Sequence, residues 1–143
     1  MAVIVGGIIE KEGKILLVQE KQEKCYGKWN IPAGHLDYNE SLSEGAIREI
    51  KEETGCDVEL TGIANVANRI LEDDIFVYIT FTTKLLNEDI KINPEEILDV
   101  KWFEINDVLN NMDNELRNLK FIKQPILNIM KNKVAPIDII NVM

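Results

Sequence analysis

A single helix with a clear start and a clear end constrains the fold of this chain more than any other feature. The segment Ser41-Leu42-Ser43-Glu44 has the form of a capping box, which starts a helix. Apolar residues then recur at helical spacing as far as Ile50, and Gly55 is well placed to end the helix in a left-handed turn. The pattern therefore predicts a helix between Ser41 and Gly55.

The segments around this helix are mostly β-prone. Apolar runs at 2–9 and 15–18 flank a polar segment containing Gly13, which predicts a hairpin. Further strands are predicted at 29–31, 58–66, 75–86 and 97–105, the second and third of these as a pair. A short helix is predicted to open at Ile105-Asn106-Asp107, and a second at 119–131 with an interruption near Pro125. We expect an α+β fold, with helices covering a mixed sheet, in a single domain spanning 1–143.

Composition and charge exclude several classes of protein. The formal net charge of −9 repels nucleic acid at long range, which argues against a sequence-independent DNA or RNA binder. No apolar run reaches the roughly 18 residues that span a bilayer, so no membrane partner is expected. The two cysteines, Cys25 and Cys56, have no CxxC partner and are expected to be free thiols. We therefore expect a soluble cytoplasmic protein.

Three carboxylates are crowded onto one face of the predicted helix. Glu49, Glu52 and Glu53 stand at positions i, i+3 and i+4, and they lie near the helix C-terminus, where the macrodipole is unfavourable for anions. A cation would relieve this repulsion, and ligands that are all oxygen suit Mg²⁺ or Mn²⁺ rather than Zn²⁺. The alternative is a solvated acidic stripe partly neutralised by Arg48 and Lys51.

The stretch 34–56 resembles the Nudix box, the signature of a family of phosphohydrolases. Eight fixed positions match at the family's spacing: Gly34, Glu40, Arg48, Glu49, Ile50, Glu52, Glu53 and Gly55. Cys56 departs from the final aliphatic position, and a buried free cysteine behaves as a small hydrophobe. The resemblance implies a mixed sheet between helices, with the box forming a loop–helix–loop. It also implies hydrolysis of a diphosphate linked to another group.

The resemblance assigns roles to individual residues. It implies that Glu49, Glu52 and Glu53 hold Mg²⁺, for which Mn²⁺ could substitute, and that Glu49 or Glu52 could also act in catalysis. Arg48 is expected to orient the carboxylates and Glu40 to pair back toward the helix, although an Arg48–Glu44 ion pair is an equal alternative. Several family members use a further acid from a later loop, for which Glu96 is the first choice and Glu95 the second.

Substrate contacts are harder to assign from the sequence. His35, Lys28 and Tyr26 are candidates because they flank the box or lie on the loop leading into it, together with Lys21 and Lys24. Trp29 could stack on a base or belong to the core. The basic residues between Leu116 and Ile137, beginning with Arg117, are interpreted as an exposed helix face.

On these grounds we expect Mg²⁺-dependent hydrolysis of a nucleoside diphosphate linked to another moiety, or of a similar small organic diphosphate. One alternative is a non-catalytic ligand sensor with the same fold. A second is a pyrophosphohydrolase of RNA 5′ ends, against which the acidic net charge counts. The apolar tail, 135–143, could form a homodimer interface.

Overall fold

The computed structural model describes residues 1–143, which form nine strands and three α-helices. The strands are β1 Ala2–Ile8, β2 Glu10–Lys11, β3 Lys14–Glu20, β4 Trp29–Asn30, β5 Ala33–His35, β6 Asp57–Ile70, β7 Ile75–Asn87, β8 Ile97–Glu104 and β9 Ala135–Pro136. The helices are α1 Leu42–Thr54, α2 Ile105–Asn110 and α3 Leu119–Met130. Short 3-10 turns occur at Glu23–Cys25 and Ile137–Ile139.

The strands form two sheets. The larger sheet has the order β5-β1-β7-β6-β9, and it is mixed because β1 and β7 are parallel whereas its other pairs are antiparallel. The smaller sheet is centred on β3, which pairs with β2, β4 and β8. The α+β class with a mixed sheet among helices is thus confirmed.

The predicted hairpin between 2–9 and 15–18 is wrong in its pairing. β1 lies between β5 and β7 in the larger sheet, whereas the turn at Glu12-Gly13 joins only the short β2 to β3. A backbone hydrogen bond from Leu16 N–H to the Ile9 carbonyl, 3.0 Å long, marks the point where the chain passes between sheets. An apolar run reveals that a strand is buried but not which strand it pairs with.

Strand β3 is buried on both faces, which explains its unbroken apolar sequence. Leu16 and Val18 pack in a cluster that includes α1, while Ile15 and Leu17 pack in a second cluster built with α2 and α3. The helices therefore cover the sheets from opposite sides.

The boundaries of α1 agree with the capping pattern. Ser41 Oγ accepts from the Glu44 N–H at 3.1 Å, and Gly55 adopts a left-handed conformation with φ of 80°. The predicted interruption of the later helix is wrong, since α3 continues through Pro125. Pro125 lies on the buried side with Ile122 and Ile126, so packing stabilises the helix despite the lost backbone donor.

The apolar tail packs in part on its own chain. β9 pairs with β6, and Ala135, Ile137 and Ile140 pack against the cluster that contains α1. None of the helices combines the length and the apolar character needed to cross a bilayer.

Candidate functional site

Acidic side chains from α1 and from the loop before β8 line one open groove of about 680 Å³. We call it the carboxylate groove, and its acidic residues are Glu20, Asp37, Glu49, Glu52, Glu53, Glu95 and Glu96. All three box glutamates and both late-loop acids proposed from the sequence therefore reach one place. Arg48 and His35 line the same groove.

Glu53 is the most enclosed of the box glutamates. The residue is 8% exposed, and its Oε1 accepts a hydrogen bond from the Ala33 N–H at 2.9 Å. Burial raises the pKa of this carboxyl group well above its usual range, while the bond from Ala33 acts in the opposite direction. The last turn of α1 and the start of β5 thus hold this carboxylate between them.

Glu49 lies directly against the backbone of β5. A Cβ atom on Gly34 would fall 2.3 Å from the Glu49 carboxyl carbon, so only glycine leaves room for this side chain in its present position. Burial raises the pKa of Glu49, even though an ion pair with Arg48 lowers it. This contact explains on steric grounds why the box has glycine at position 34.

Arg48 connects several of these acids. Its Nε and Nη2 donate to the two oxygens of Glu40 at 2.6 and 2.8 Å, and its Nη1 donates to Glu49 at 3.0 Å and Glu52 at 3.2 Å. Of the two glutamates considered from the sequence as ion-pair partners of Arg48, Glu40 and Glu44, only Glu40 makes the pair. Hydrogen bonding to Arg48 lowers the pKa of Glu40 from 4.5 to about 2.

The acidic stripe is partly neutralised, as the alternative interpretation anticipated. Arg48 supplies the neutralising positive charge, because it pairs with Glu49 and Glu52. Lys51 does not take part, because it pairs with Asp57 at 2.9 Å. As the side chains stand, no three His, Cys, Asp or Glu residues converge closely enough to hold a metal ion.

The donor set nevertheless fits a hard cation. Every acidic group in the groove offers carboxylate oxygens, which Mg²⁺ and Mn²⁺ prefer. Glu53 is buried and receives no ion pair from Arg48.

The proposed substrate contacts are placed unevenly. His35 lines the groove, and its carbonyl accepts from Arg48 Nη2 at 3.1 Å. Lys28 instead donates to the Asn114 carbonyl, and Tyr26 is 63% exposed; neither lines the groove. Trp29 belongs to the core, with its ring centroid 4.7 Å from that of Phe103.

A second cavity of about 280 Å³ adjoins the groove. We call it the aromatic cavity, because Phe76, Tyr78 and Phe121 line it, with the rings of Tyr78 and Phe121 stacked at a centroid distance of 3.8 Å. Its polar residues include Glu20, Asn30 and Arg117. The two cavities share six lining residues: Glu20, Gln22, Ala33, Gly34, His35 and Glu53.

No pattern in the sequence predicted this cavity. Arg117, interpreted as part of an exposed helix face, instead precedes α3 and contacts Glu20 at 3.2 Å. One signal was available, since Glu20 follows Leu16 and Val18 at the period of two that places them on one strand face. Because that face is buried, a charged residue on it indicates a specific role.

Comparison with known proteins gives consistent matches. The family model described as NUDIX domain matches residues 1–124. An ADP-ribose pyrophosphatase of Methanocaldococcus jannaschii is 30% identical over 75% of this chain and 64% of that protein. Nudix hydrolase 8 of Arabidopsis thaliana is 28% identical over 86% of this chain and 31% of that protein. The chain thus spans between about a third and about two thirds of the length of these curated relatives.

A solved structure matches over nearly the whole length of both chains. This NUDIX hydrolase from Nitrosomonas europaea has a TM-score of 0.87 and 27% sequence identity, covering 99% of this chain and 97% of that chain. The agreement therefore covers nearly the whole arrangement of strands and helices.

Proposed function

Because this chain belongs to the NUDIX family, we propose that it is a Mg²⁺-dependent pyrophosphohydrolase acting on a nucleoside diphosphate linked to another moiety, or on a similar small organic diphosphate. The observation that carries the proposal is the junction of two cavities. Five glutamates from α1 and the loop before β8 line a groove that opens beside a cavity with aromatic walls. In this proposal the diphosphate occupies the carboxylate groove, and a planar organic group attached to it occupies the aromatic cavity.

In this proposal Glu49, Glu52 and Glu53 hold the metal. When bound, Mg²⁺ would neutralise the phosphate oxygens and orient a water molecule, which an acidic protein cannot do unaided. The bond from the Ala33 N–H keeps Glu53 aimed at the groove, and Arg48 keeps Glu49 and Glu52 close to it. His35 borders both cavities and is suited to contact the substrate between its two ends.

A late-loop acid is proposed as the base that takes the proton of the attacking water. Glu96 and Glu95 both line the groove, are exposed and make no ion pair, so either can lie beside a water molecule there. Lys21, which also lines the groove, anchors this loop through a hydrogen bond from its Nζ to the Pro94 carbonyl at 2.6 Å.

The substitution Glu52→Gln tests the metal-site assignment. It removes one negative charge while keeping the side-chain shape, so we expect turnover to fall at least about a hundredfold, or about 2.7 kcal/mol of barrier. Activity is measured by chromatographic separation of the nucleotide products formed from ADP-ribose, nucleotide sugars and nucleoside di- and triphosphates with Mg²⁺. Glu44→Gln is the matched control, because Glu44 is an exposed glutamate in the first turn of the same helix.

Two outcomes would contradict the proposal. Undiminished turnover by Glu52→Gln would show that Glu52 does not hold the metal. Binding of these compounds without hydrolysis, with either Mg²⁺ or Mn²⁺, would favour the ligand-sensor alternative.

A further inference from the structure

The aromatic cavity contains a buried carboxylate that the hydrolysis proposed above does not use. Glu20 ends β3, is 4% exposed, and lines both the aromatic cavity and the carboxylate groove. Its Oε1 accepts hydrogen bonds from Asn30 Nδ2 and from Arg117 Nη1, each at 3.2 Å. A buried carboxylate costs free energy unless it is well partnered, so its second oxygen requires an explanation.

The surrounding hydrogen bonds determine how each group points. Asn30 Oδ1 accepts from the Ile31 N–H at 2.9 Å, which turns the Asn30 amide nitrogen toward Glu20. Glu20 Oε2 makes no hydrogen bond within the protein. Since no enclosed side-chain nitrogen or oxygen lacks a partner, Oε2 is not enclosed and is open to the cavities that Glu20 lines.

Arg117 supplies donors next to this acceptor. Its side chain makes a single hydrogen bond, to Glu20, and is 30% exposed. A guanidinium carries five N–H groups, so Arg117, which lines the aromatic cavity, has N–H groups left with which to bind a ligand there. An anionic acceptor and cationic donors thus lie side by side in a cavity that Phe76, Tyr78 and Phe121 also line.

We propose that Glu20 and Arg117 recognise a planar heterocycle that has a ring N–H beside a carbonyl group, as in guanine, hypoxanthine or uracil. The ring N–H donates to Glu20 Oε2, and the neighbouring carbonyl oxygen accepts from Arg117. Both hydrogen bonds are charge-assisted and therefore strong. The inference rests on the proposed function, because the heterocycle is the group attached to a diphosphate in the adjoining groove.

Adenine and cytosine fit this arrangement less well. Each has an unprotonated ring nitrogen where the other bases carry the N–H, and this lone pair would face the Glu20 carboxylate. A site built around a hydrogen bond discriminates strongly against a ligand that leaves its polar group unpaired.

Binding of nucleoside monophosphates to the metal-free wild-type protein tests the inference without requiring turnover. The ligands are GMP, 1-methyl-GMP, which lacks the ring N–H, and AMP, each titrated calorimetrically in EDTA. We expect GMP to bind at least about tenfold more tightly than either of the others. Equal affinities for the three, or no binding of any, would overturn the inference.

The variant Glu20→Gln tests the residue itself. Asn30 and Arg117 both donate to the inner position, so the glutamine carbonyl is expected to stay there and its NH₂ group to face the cavity. The acceptor becomes a donor of the same size, and the preference for GMP over 1-methyl-GMP should fall to about one. Glu23→Gln, an exposed neighbour outside both cavities, should keep the wild-type preference.

The two proposals can fail separately. If the protein binds GMP in preference to the other ligands but hydrolyses no diphosphate, the subsite is supported and the proposed activity is contradicted. A protein that hydrolyses diphosphates with no preference in binding, and whose Glu20→Gln variant behaves like wild type, would keep the activity and refute the subsite. If Glu20→Gln does not fold, the comparison of ligands on the wild-type protein still decides the question.

Discussion

At the scale of single residues, Glu40 shows how a side chain outside the metal-binding set can support it. Both Glu40 oxygens accept from Arg48, and one of them also accepts from the Asp37 N–H at 2.9 Å. The loop before α1 and the helix face are thereby joined, and Arg48 is held where it can reach Glu49 and Glu52. Ionised Glu40 is required for this arrangement.

The pH dependence of stability tests this role. The folded pKa of Glu40, about 2, lies below its ordinary 4.5, so its contribution is present above pH 4.5 and is lost as the pH falls toward 2. Glu40→Gln should lower the melting temperature at pH 7, and the difference from wild type should shrink by pH 3. Glu44→Gln should match wild type at both values. A difference for Glu40→Gln that does not change with pH would contradict the role.

Prediction from sequence succeeded for residues linked by local spacing. Glu49, Glu52 and Glu53 lie close together because one helix carries them. Glu20, Asn30 and Arg117 come from a strand end, another strand and a loop, so their meeting depends on how β3, β4 and the start of α3 pack. Only the burial of β3 on both faces could have indicated that Glu20 points inward.

At the scale of elements, the end of α1 depends on a close approach between loops. Gly55 has φ of 80°, and a Cβ there would fall 2.5 Å from both the Asp89 carbonyl oxygen and the Lys91 nitrogen. The helix C-terminus therefore requires glycine for two reasons, backbone conformation and space. Helix boundaries of this kind follow from local sequence, whereas the pairing of β1 with β7 rather than β3 depends on contacts distant in the chain.

A matched pair of glycine substitutions separates the two reasons. Gly13 has φ of 78° and nothing within 4 Å of its hypothetical Cβ. Gly13→Ala should therefore cost about 1–2 kcal/mol of unfolding free energy, from backbone conformation alone. Gly55→Ala should cost a further 1–3 kcal/mol or so from the clash. Urea unfolding measures both values. If the two substitutions lower the unfolding free energy equally, the loop of Asp89 and Lys91 moves aside without a cost in free energy, and the clash does not contribute.

At the scale of the whole molecule, the meeting of two sheets explains why acidic groups are crowded together. The end of β3 contributes Glu20, α1 contributes Glu53, and repulsion between these carboxylates adds to the effect of burial on Glu53. Crowding of these carboxylates is thus expected to lower the free energy of unfolding, as is common where a site serves function. A bound cation would return part of that stability through linkage.

Thermal melting with and without metal tests this expectation. Mg²⁺ or Mn²⁺ at a hundredfold excess over Kd should stabilise the wild-type protein by about 2.7 kcal/mol, or several degrees in melting temperature. Glu53→Gln should respond far less, and in EDTA it should be at least as stable as wild type because a buried charge is gone. Glu44→Gln should respond as wild type does. The same metal response in Glu53→Gln would exclude Glu53 as a ligand.

The hydrogen bond from Ala33 to Glu53 has a consequence for how this protein can diversify. Its donor is a peptide group, so any replacement of Ala33 other than proline leaves the donor in the chain. Ala33 also forms part of the wall shared by the aromatic cavity and the carboxylate groove. Natural drift or directed evolution at this position can therefore reshape which compounds are accepted while the buried carboxylate keeps its anchor.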